Sequence, residues 1–145
     1  MKISIGADHR GYALKQQLIK HFSKYSWLDQ GTTSAERCDF PCYAAAVAAD
    51  VQSGAADVGV LICGSGVGMS IAANRHRGVY AALCWNVDIA RLAKENDGSN
   101  VLVLPADFVS PEQAVVMVET WLQATFKGGV YAHRLEMMDD TIPRN

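Results

Sequence analysis

The sequence predicts one α/β domain over residues 1–145, a three-layer α/β/α arrangement with a five-stranded parallel sheet. Five short runs rich in aliphatic and β-branched residues alternate with longer segments of helical periodicity, a pattern typical of parallel sheets covered by helices on both faces. One run, residues 58–63, is apolar throughout, as expected for a strand that is buried on both faces. A chain of 145 residues is long enough to form a single core.

The predicted elements follow one another in strict alternation. Strands are expected at residues 2–7, 26–31, 58–63, 79–84 and 100–105. Helices are expected at residues 12–25, 42–53, 69–76, 87–96, 110–126 and 130–140.

Local signals justify these elements in turn. The first strand is a short run bounded by glycine, and the helix after it has leucines at helical spacing. Gly54 ends the alanine-rich second helix. The last strand stops at Pro105, and the following helix begins with Ser110 as N-cap and Gln113 in the position of a capping box. A pair of glycines at 128–129 separates that helix from the final one.

Composition and charge exclude several classes of function. The net charge is −2, so no surface for nucleic acid or anionic membranes is indicated. No apolar stretch approaches the roughly 20 residues that a membrane span needs, and the N-terminus lacks the features of a signal peptide. Cys38 and Cys42 are separated by Pro41 and have no matching ligand pair elsewhere, so zinc is not expected. We expect a cytoplasmic protein with reduced cysteines.

Polar residues follow three of the predicted strands. The sequence "ADHRG" follows the first strand, "CGSGVG" the buried one and "CWN" the fourth. Because ligands of parallel sheets bind at the carboxyl ends of the strands, we expect a site where Asp8, His9 and Cys63 converge. Asp8 is equally suited to capping the next helix, and His9 to lying on the surface.

The segment "CGSGVG" admits two interpretations. Glycines at 64, 66 and 68 would leave backbone N–H groups free for an anion at a helix N-terminus. The positive electrostatic potential of that helix N-terminus would also lower the pKa of the Cys63 thiol. The alternative is a tight turn beside a buried cysteine. A dinucleotide site is disfavoured, because Met69 stands where the third glycine of that fingerprint would be.

Several motifs in order along the chain resemble one family. The segments "GADHRGY", "DFPCYA", "LICGSGVGMSIAAN", "ARLAKEND" and "WLQATFKGG" are similar to those of the ribose-5-phosphate isomerase type B family, which includes the galactose-6-phosphate isomerase subunits. The resemblance implies an aldose–ketose isomerase with a Rossmann-like sheet that moves a proton between C1 and C2 through a cis-enediolate. It implies no metal and no cofactor. It also implies a homodimer, or a tetramer, with sites built by two subunits and the helix at 130–140 packing on a partner.

The resemblance also implies roles for individual residues. Cys63 matches the catalytic base, and Ser65 matches a hydroxyl residue that assists at the substrate oxygens. The loop amides match an anion hole for the enediolate and belong to Gly64, Gly66, Val67 and Gly68. The residues that match or occupy substrate-binding positions are Asp8, His9, Tyr43, Asn96, Asp97, Asn100 and Arg134.

Four positions depart from the family pattern. Asn96 replaces a histidine that opens the sugar ring, and Asp97 replaces an asparagine. Asp107 and Val130 stand where the family has arginines that bind phosphate. We therefore expect that the substrate is a sugar or sugar phosphate and that ribose 5-phosphate is not handled with full efficiency, unless Arg10, Lys127 or His133 compensates for the missing cations. The alternative is a sugar-binding or regulatory relative without catalytic activity.

Overall fold

A computed structural model describes residues 1–143, which form the predicted α/β architecture. The strands are β1 (Lys2–Ala7), β2 (Ser26–Asp29), β3 (Val58–Cys63), β4 (Ala81–Leu83) and β5 (Val101–Pro105). The helices are α1 (Tyr12–His21), α2 (Pro41–Ser53), α3 (Val67–Ala73), α4 (Val87–Glu95), α5 (Pro111–Gln123) and α6 (Val130–Asp139). All strand pairs are parallel, in the order β2-β1-β3-β5-β4.

Helices cover both faces of the sheet, and the strands divide their side chains between two apolar cores. Val60 and Ile62 of β3 pack with α1, α4 and α5 on one face. Leu61 and Cys63 alternate to the other face and pack with α2 and α3. This alternation follows from the two-residue repeat of a strand. The predicted three-layer fold is therefore confirmed.

Strands β2 and β4 and helix α5 are shorter than the sequence predicts. Strand β4 begins at 81 rather than 79, because side-chain amides replace the sheet ladder before it: Asn100 Oδ1 accepts from the Tyr80 N–H at 2.8 Å, and Asn74 Oδ1 from the Ala81 N–H at 2.8 Å. Strand β2 stops at Asp29, whose carboxylate turns the chain by accepting from the N–H of Gly31. Helix α5 ends at Gln123, where the backbone becomes extended.

Two further helix boundaries differ from the prediction. Helix α1 ends at His21 rather than at 25, because the Phe22 carbonyl accepts a hydrogen bond from the Trp27 indole at 3.1 Å. Helix α3 starts at Val67 rather than 69, directly after Gly66, which has φ of +76°. The predicted capping box of α5 is confirmed: Ser110 and Gln113 exchange side-chain and backbone hydrogen bonds.

The connections out of β1 and β3 run in opposite directions. Strand β1 leads through α1 to β2 on one side, whereas β3 leads through α3 to β4 on the other. The carboxyl ends of these neighbouring strands thus form a topological switch point, which is the usual binding crevice of open α/β sheets. The Asp8 N–H donates to the Ile62 carbonyl at 3.2 Å there, so the chain after β1 lies against the end of β3.

Helix α6 is tied to its own chain mainly at its end. Its Asp139 carboxylate accepts from the Tyr80 hydroxyl at 2.7 Å and from the Gly78 N–H at 3.2 Å. Burial and this bond raise the pKa of Tyr80 to about 12. Leu135 is the buried side chain of the helix, and exposed apolar residues remain at Val130, Met137 and Met138.

Candidate active site

A cavity of about 240 Å³ opens at the switch point, where the carboxyl ends of β1, β3 and β5 meet. Its lining comes from the loops after these strands and from the start of α2, and consists of Asp8, Arg10, Phe40, Cys63, Gly64, Ser65, Gly68 and Asp107. The structure therefore brings Asp8 and Cys63 to one place, as the sequence predicts. Phe40 was not singled out from the sequence; its ring lies over Gly68, a contact that no sequence pattern signals.

The loop after β3 wraps its backbone around the thiol. The Gly66 N–H donates to the Cys63 sulfur at 3.2 Å, and the Val67 N–H donates to Ser65 Oγ at 3.3 Å. Within residues 1–143, the N–H groups of Gly64 and Gly68 have no acceptor, and both residues line the cavity. The loop can therefore offer backbone donors to an oxyanion next to the sulfur.

Glycine is required at position 66 by both conformation and space. The backbone is left-handed there, with φ of +76°, which side chains other than glycine adopt at a cost. A Cβ at this position would also lie 2.4 Å from Leu83 Cδ1. The sharp turn at Gly66 is what directs its N–H back onto the sulfur.

The pKa of the Cys63 thiol is raised, which corrects the expectation of a lowered value. Burial is the largest cause, and the Asp8 carboxylate raises the pKa further. Backbone N–H groups of Met69, Gly66 and Ser65 act in the opposite direction, as the sequence predicts, but do not outweigh burial. Helix α3 is only seven residues long, so its dipole adds little to these local donors.

The second strand-end cysteine shows what burial does without such donors. Cys84 follows β4 and is fully buried, and desolvation alone raises the pKa of its thiol to about 12. Its sulfur lies near a carbonyl, that of Ala82 at 3.6 Å, and not near an N–H group. Of these two thiols, only Cys63 combines partial access with groups that stabilise a thiolate.

Asp8 does not cap helix α1, whose N-cap is Gly11; its carboxylate stabilises the turn that precedes the helix. One carboxylate oxygen accepts from the N–H groups of Arg10 at 2.9 Å and Gly11 at 3.1 Å. The side chain is nevertheless part of the cavity wall. Asp8 is therefore held rigidly beside the thiol by its own turn.

His9 and Tyr43 lie next to this cavity without lining it. His9 Nδ1 accepts from the Cys38 N–H at 3.3 Å. Tyr43 is partly buried in α2, with its ring against Gly31. In the described part of the chain, neither side chain makes a hydrogen bond to a residue of the cavity lining.

The remaining predicted residues lie at the opposite edge of the sheet. Asn96, Asp97 and Asn100 precede β5, whereas Cys63 ends β3 and pairs with Pro105, at the far end of β5. Since Gly59 pairs with Val101, and a strand rises about 3.3 Å per residue, the two edges are on the order of 13 Å apart. One chain therefore does not bring these residues to the sulfur.

The amino-edge cluster, defined as Asn96, Lys127, Tyr131 and Arg134, is organised around one aromatic ring. Lys127 Nζ and Arg134 Cζ lie 5.9 Å and 5.4 Å from the Tyr131 ring centroid, within reach of a cation–π interaction. Lys127 donates to Asn96 Oδ1 at 2.9 Å. Within residues 1–143, no carboxylate lies within salt-bridge distance of Arg134.

Asp97 and Asn100 have different surroundings. Asp97 is exposed and lines a separate cavity of about 490 Å³ together with Tyr80 and Asp139. The Asn100 amide accepts from the Tyr80 N–H and donates to the Gly78 carbonyl at 2.7 Å. The amide of Asn100 thus braces the chain before β4.

The fold and the cavity together define a Rossmann-like α/β enzyme whose site combines a thiol with backbone donors. Within residues 1–143, no group of three or more His, Cys, Asp or Glu side chains is placed to hold a metal ion. Among the described residues, no helix has the length and apolar character needed to cross a membrane.

Comparison with known sequences gives the particular family. Residues 3–138 match the Ribose/Galactose Isomerase family, and the chain belongs to it. The chain is 41% identical over 137 residues to ribose-5-phosphate isomerase B of Escherichia coli, with 93% of this chain and 92% of that protein covered. It is 40% identical over 136 residues to the probable ribose-5-phosphate isomerase B of Mycoplasma pneumoniae, with 92% and 90% covered.

Solved structures agree with this assignment. Ribose-5-phosphate isomerase B of Clostridium thermocellum superposes with a TM-score of 0.95 at 42% identity, covering 97% of this chain and 96% of that one. The enzyme of Mycoplasma genitalium, solved with bound ribulose-5-phosphate, superposes with a TM-score of 0.92 at 35% identity, with 96% and 94% covered. The predicted family and the predicted isomerase class are confirmed.

Proposed function

We propose that this chain is an aldose–ketose isomerase that moves a proton between C1 and C2 of a sugar through a cis-enediolate, with Cys63 as the base. The observation that carries the proposal is the position of the Cys63 sulfur at the switch point, in the same cavity as Gly64 and Gly68, whose N–H groups have no acceptor among residues 1–143. Relatives named ribose-5-phosphate isomerase B support the reaction class.

The geometry suits each step of that reaction. The Cys63 thiolate removes the proton on the carbon next to the carbonyl. In the enediolate, the former C–H electron pair forms the C1–C2 double bond while the π pair of the carbonyl resides on oxygen. The N–H groups of Gly64 and Gly68 then stabilise the enediolate oxygens. Ser65 Oγ, at the cavity wall, passes a proton between the two oxygens. The C1–C2 double bond then takes the proton back from the Cys63 thiol at the neighbouring carbon, the other oxygen becomes the carbonyl, and the thiolate is regenerated.

The raised pKa of Cys63 determines how the enzyme responds to pH. With the thiol protonated in the free chain near neutral pH, only a small fraction of molecules carries the base. The activity (kcat/KM) should therefore rise with pH as the thiolate forms. The Gly66 N–H on the sulfur keeps this fraction larger than burial alone would allow.

Replacement of the thiol tests the proposed base. Cys63→Ala should lower kcat by at least about 10² to 10⁴-fold, the usual contribution of a general base, while circular dichroism and melting temperature remain close to wild type. Cys42→Ala, which removes an exposed thiol outside the cavity, is the matched control and should keep wild-type turnover. Product formed in deuterium oxide should carry deuterium at the carbon that receives the proton. Wild-type turnover of Cys63→Ala would exclude this mechanism.

We propose further that the substrate is not ribose 5-phosphate handled with full efficiency. Ring opening needs a proton donor and acceptor, and the Asn96 amide, held by Lys127 at 2.9 Å, does not titrate near neutral pH. A sugar that is largely open-chain, such as a four-carbon sugar phosphate, does not need that step. A sugar without phosphate is the alternative, supported by Asp107 and Val130 at positions where phosphate-binding arginines were expected.

A substrate panel tests this proposal. We expect kcat/KM to be higher for erythrose 4-phosphate or for a free sugar than for ribose 5-phosphate. Asn96→His should raise the value for ribose 5-phosphate and leave that for the four-carbon substrate nearly unchanged. Asn86→His, at the opposite end of helix α4 and outside the lining of the cavity, serves as the control. A strong wild-type preference for ribose 5-phosphate that Asn96→His does not improve would contradict the proposal.

We propose that the active site is shared between two copies of the chain. A cavity of about 240 Å³ is smaller than most small-molecule sites, and Arg134 lies at the other edge of the sheet. The exposed apolar residues of α6, Val130, Met137 and Met138, offer a surface for a second copy. A homodimer that places the amino-edge cluster of one copy over the cavity of the other would complete the site.

A further inference from the structure

We propose that the Arg10–Asp107 ion pair makes the rim of the cavity a subsite for sugar hydroxyl groups and not for phosphate. Arg10 Nη2 donates to Asp107 Oδ2, although the two residues are 97 positions apart in the sequence. Both side chains line the cavity that holds Cys63. The inference rests on the proposed isomerase function and specifies which part of the sugar this end of the site accepts.

A backbone hydrogen bond holds each residue of the pair in place, Asp107 on the loop after β3 and Arg10 on the turn after β1. The Asp107 N–H donates to the Gly64 carbonyl at 3.0 Å, and the Arg10 N–H donates to the Asp8 carboxylate at 2.9 Å. The pair also lies directly over Gly64, where a Cβ would be 2.7 Å from Arg10 Nε and 2.8 Å from Asp107 Oδ2. Because Gly64 has no side chain, the ion pair has room to lie over it.

The charges at the rim disfavour a phosphate. Asp8, Arg10 and Asp107 are the ionised side chains of the lining, so two carboxylates face one guanidinium. A phosphate monoester carries about −1.5 to −2 charges at pH 7, and the guanidinium that would bind it is already neutralised. If Arg10 turned toward a phosphate, the Asp107 carboxylate would remain on the loop and repel it.

The same pair suits hydroxyl groups. The Asp107 carboxylate accepts hydrogen bonds, and Arg10 keeps N–H donors beyond the nitrogen that binds Asp107. Two adjacent sugar hydroxyl groups can donate to the Asp107 carboxylate and accept from Arg10, and they bring no charge of their own to the rim.

The other compensating cations considered from the sequence are also paired. Lys127 lies 3.4 Å from Glu95, and His133 lies 3.7 Å from Glu136. Arg134 therefore remains the candidate for any phosphate, at the edge of the sheet away from the rim.

Calorimetric binding of inorganic phosphate and of D-erythrose, two probes that need no turnover, tests the inference. Asp107→Asn should tighten phosphate binding at least about tenfold, because it frees Arg10 as a charged donor. Adding Arg10→Gln to Asp107→Asn should abolish the gain. Asp107→Asn should also weaken binding of D-erythrose. Asp88→Asn, which makes the same charge change in an exposed ion pair on α4, should alter neither Kd.

The opposite pattern would overturn the inference. If Arg10→Gln alone weakens phosphate binding while Asp107→Asn leaves it unchanged, Arg10 binds phosphate in the native chain and the rim is an anion subsite. If neither variant changes the Kd of either probe, the pair is not part of a subsite. The calorimetric test measures binding and needs no turnover. An active Cys63→Ala variant would contradict the isomerase proposal but would not change this result, so the two failures can be told apart.

Discussion

The carboxyl edge of the sheet differs from the amino edge in what its polar residues do. At the carboxyl edge, Asp8 and Cys63 line one cavity, and the N–H groups of Gly64 and Gly68 remain without an acceptor among the described residues. At the amino edge, Asn100 braces the backbone and Asn96 is bound by Lys127. The first edge is prepared for a ligand by a single chain, whereas the second presents a cluster of cations around Tyr131 and forms no cavity with the thiol.

The difference shows that residues matching one family site need not meet within one chain. Parallel strands all point the same way, so residues before β5 and residues after β3 lie at opposite edges whatever their chemistry. Only a second copy can bring Arg134 of one chain to Cys63 of another. Experiments that mix chains or alter one edge at a time therefore separate the two regions.

Mixing two inactive variants should have the largest effect. Cys63→Ala and Arg134→Ala should each lose activity, the latter about 10 to 100-fold for a phosphorylated substrate through loss of a charged hydrogen bond. After subunit exchange in mild denaturant, the mixture should regain up to about a quarter of wild-type activity, because half of the dimers then hold one intact site. The measurement is kcat per chain before and after exchange.

Two outcomes would contradict the shared site. The control is a mixture of Cys63→Ala with Ser65→Ala. Both residues belong to the carboxyl-edge half of the site, so no dimer in this mixture holds an intact site. Recovery of activity there would contradict the assignment. Full activity of Arg134→Ala on every substrate tested would remove the amino-edge cluster from the site.

A smaller effect is expected from methyl groups at two glycines with positive φ. Gly66→Ala should lower the free energy of unfolding by about 2 to 3 kcal/mol, from the left-handed backbone and from contact with Leu83. Gly54→Ala, with φ of +75° and no atom of residues 1–143 within 4 Å of the added Cβ, should cost only about 1 kcal/mol. Urea denaturation measures both, and equal losses would show that the packing of the catalytic loop contributes nothing.

The smallest expected effect is a difference between thiols at neutral pH. Because burial raises the pKa of Cys63, iodoacetamide should alkylate it more slowly than the exposed Cys42 at pH 7. The alkylation rate of Cys63 should increase with pH, and the midpoint of that increase should lie above the pKa of an ordinary thiol. Cys84, with a pKa of about 12, should react last. Mass spectrometry of tryptic peptides gives the three rates, and faster alkylation of Cys63 than of Cys42 would contradict the raised pKa.

The same thiols should make the folded chain less stable in alkali. A thiol whose pKa is raised by folding ionises more readily in the unfolded chain, so its contribution to stability is present below the unfolded pKa and is lost as the pH rises. For Cys84 that window extends from about 9 to about 12. The free energy of unfolding should fall across this range, less so in Cys84→Ala than in wild type.

The fold class, and the position of a thiol beside backbone donors at the carboxyl edge, could be predicted from the sequence alone. Alternating apolar runs and helical segments specify a parallel sheet, because the periodicity of burial is local. The loop "CGSGVG" places a thiol and backbone donors within a few residues of one another, so this feature can be recognised without the tertiary structure. The capping box at Ser110 was likewise visible, since both of its partners lie within one turn.

Tertiary structure alone decided the electrostatics and the partners. The pKa of Cys63 depends on its burial in the core that α2 and α3 form on one face of the sheet, and a local helix-terminus argument gave the wrong direction. Arg10 meets Asp107, and Lys127 meets Asn96, through loops that only the strand order brings together. Such contacts join residues 97 and 31 positions apart, and no local pattern encodes them, because the Coulomb and desolvation energies depend on distances and burial that the whole fold sets.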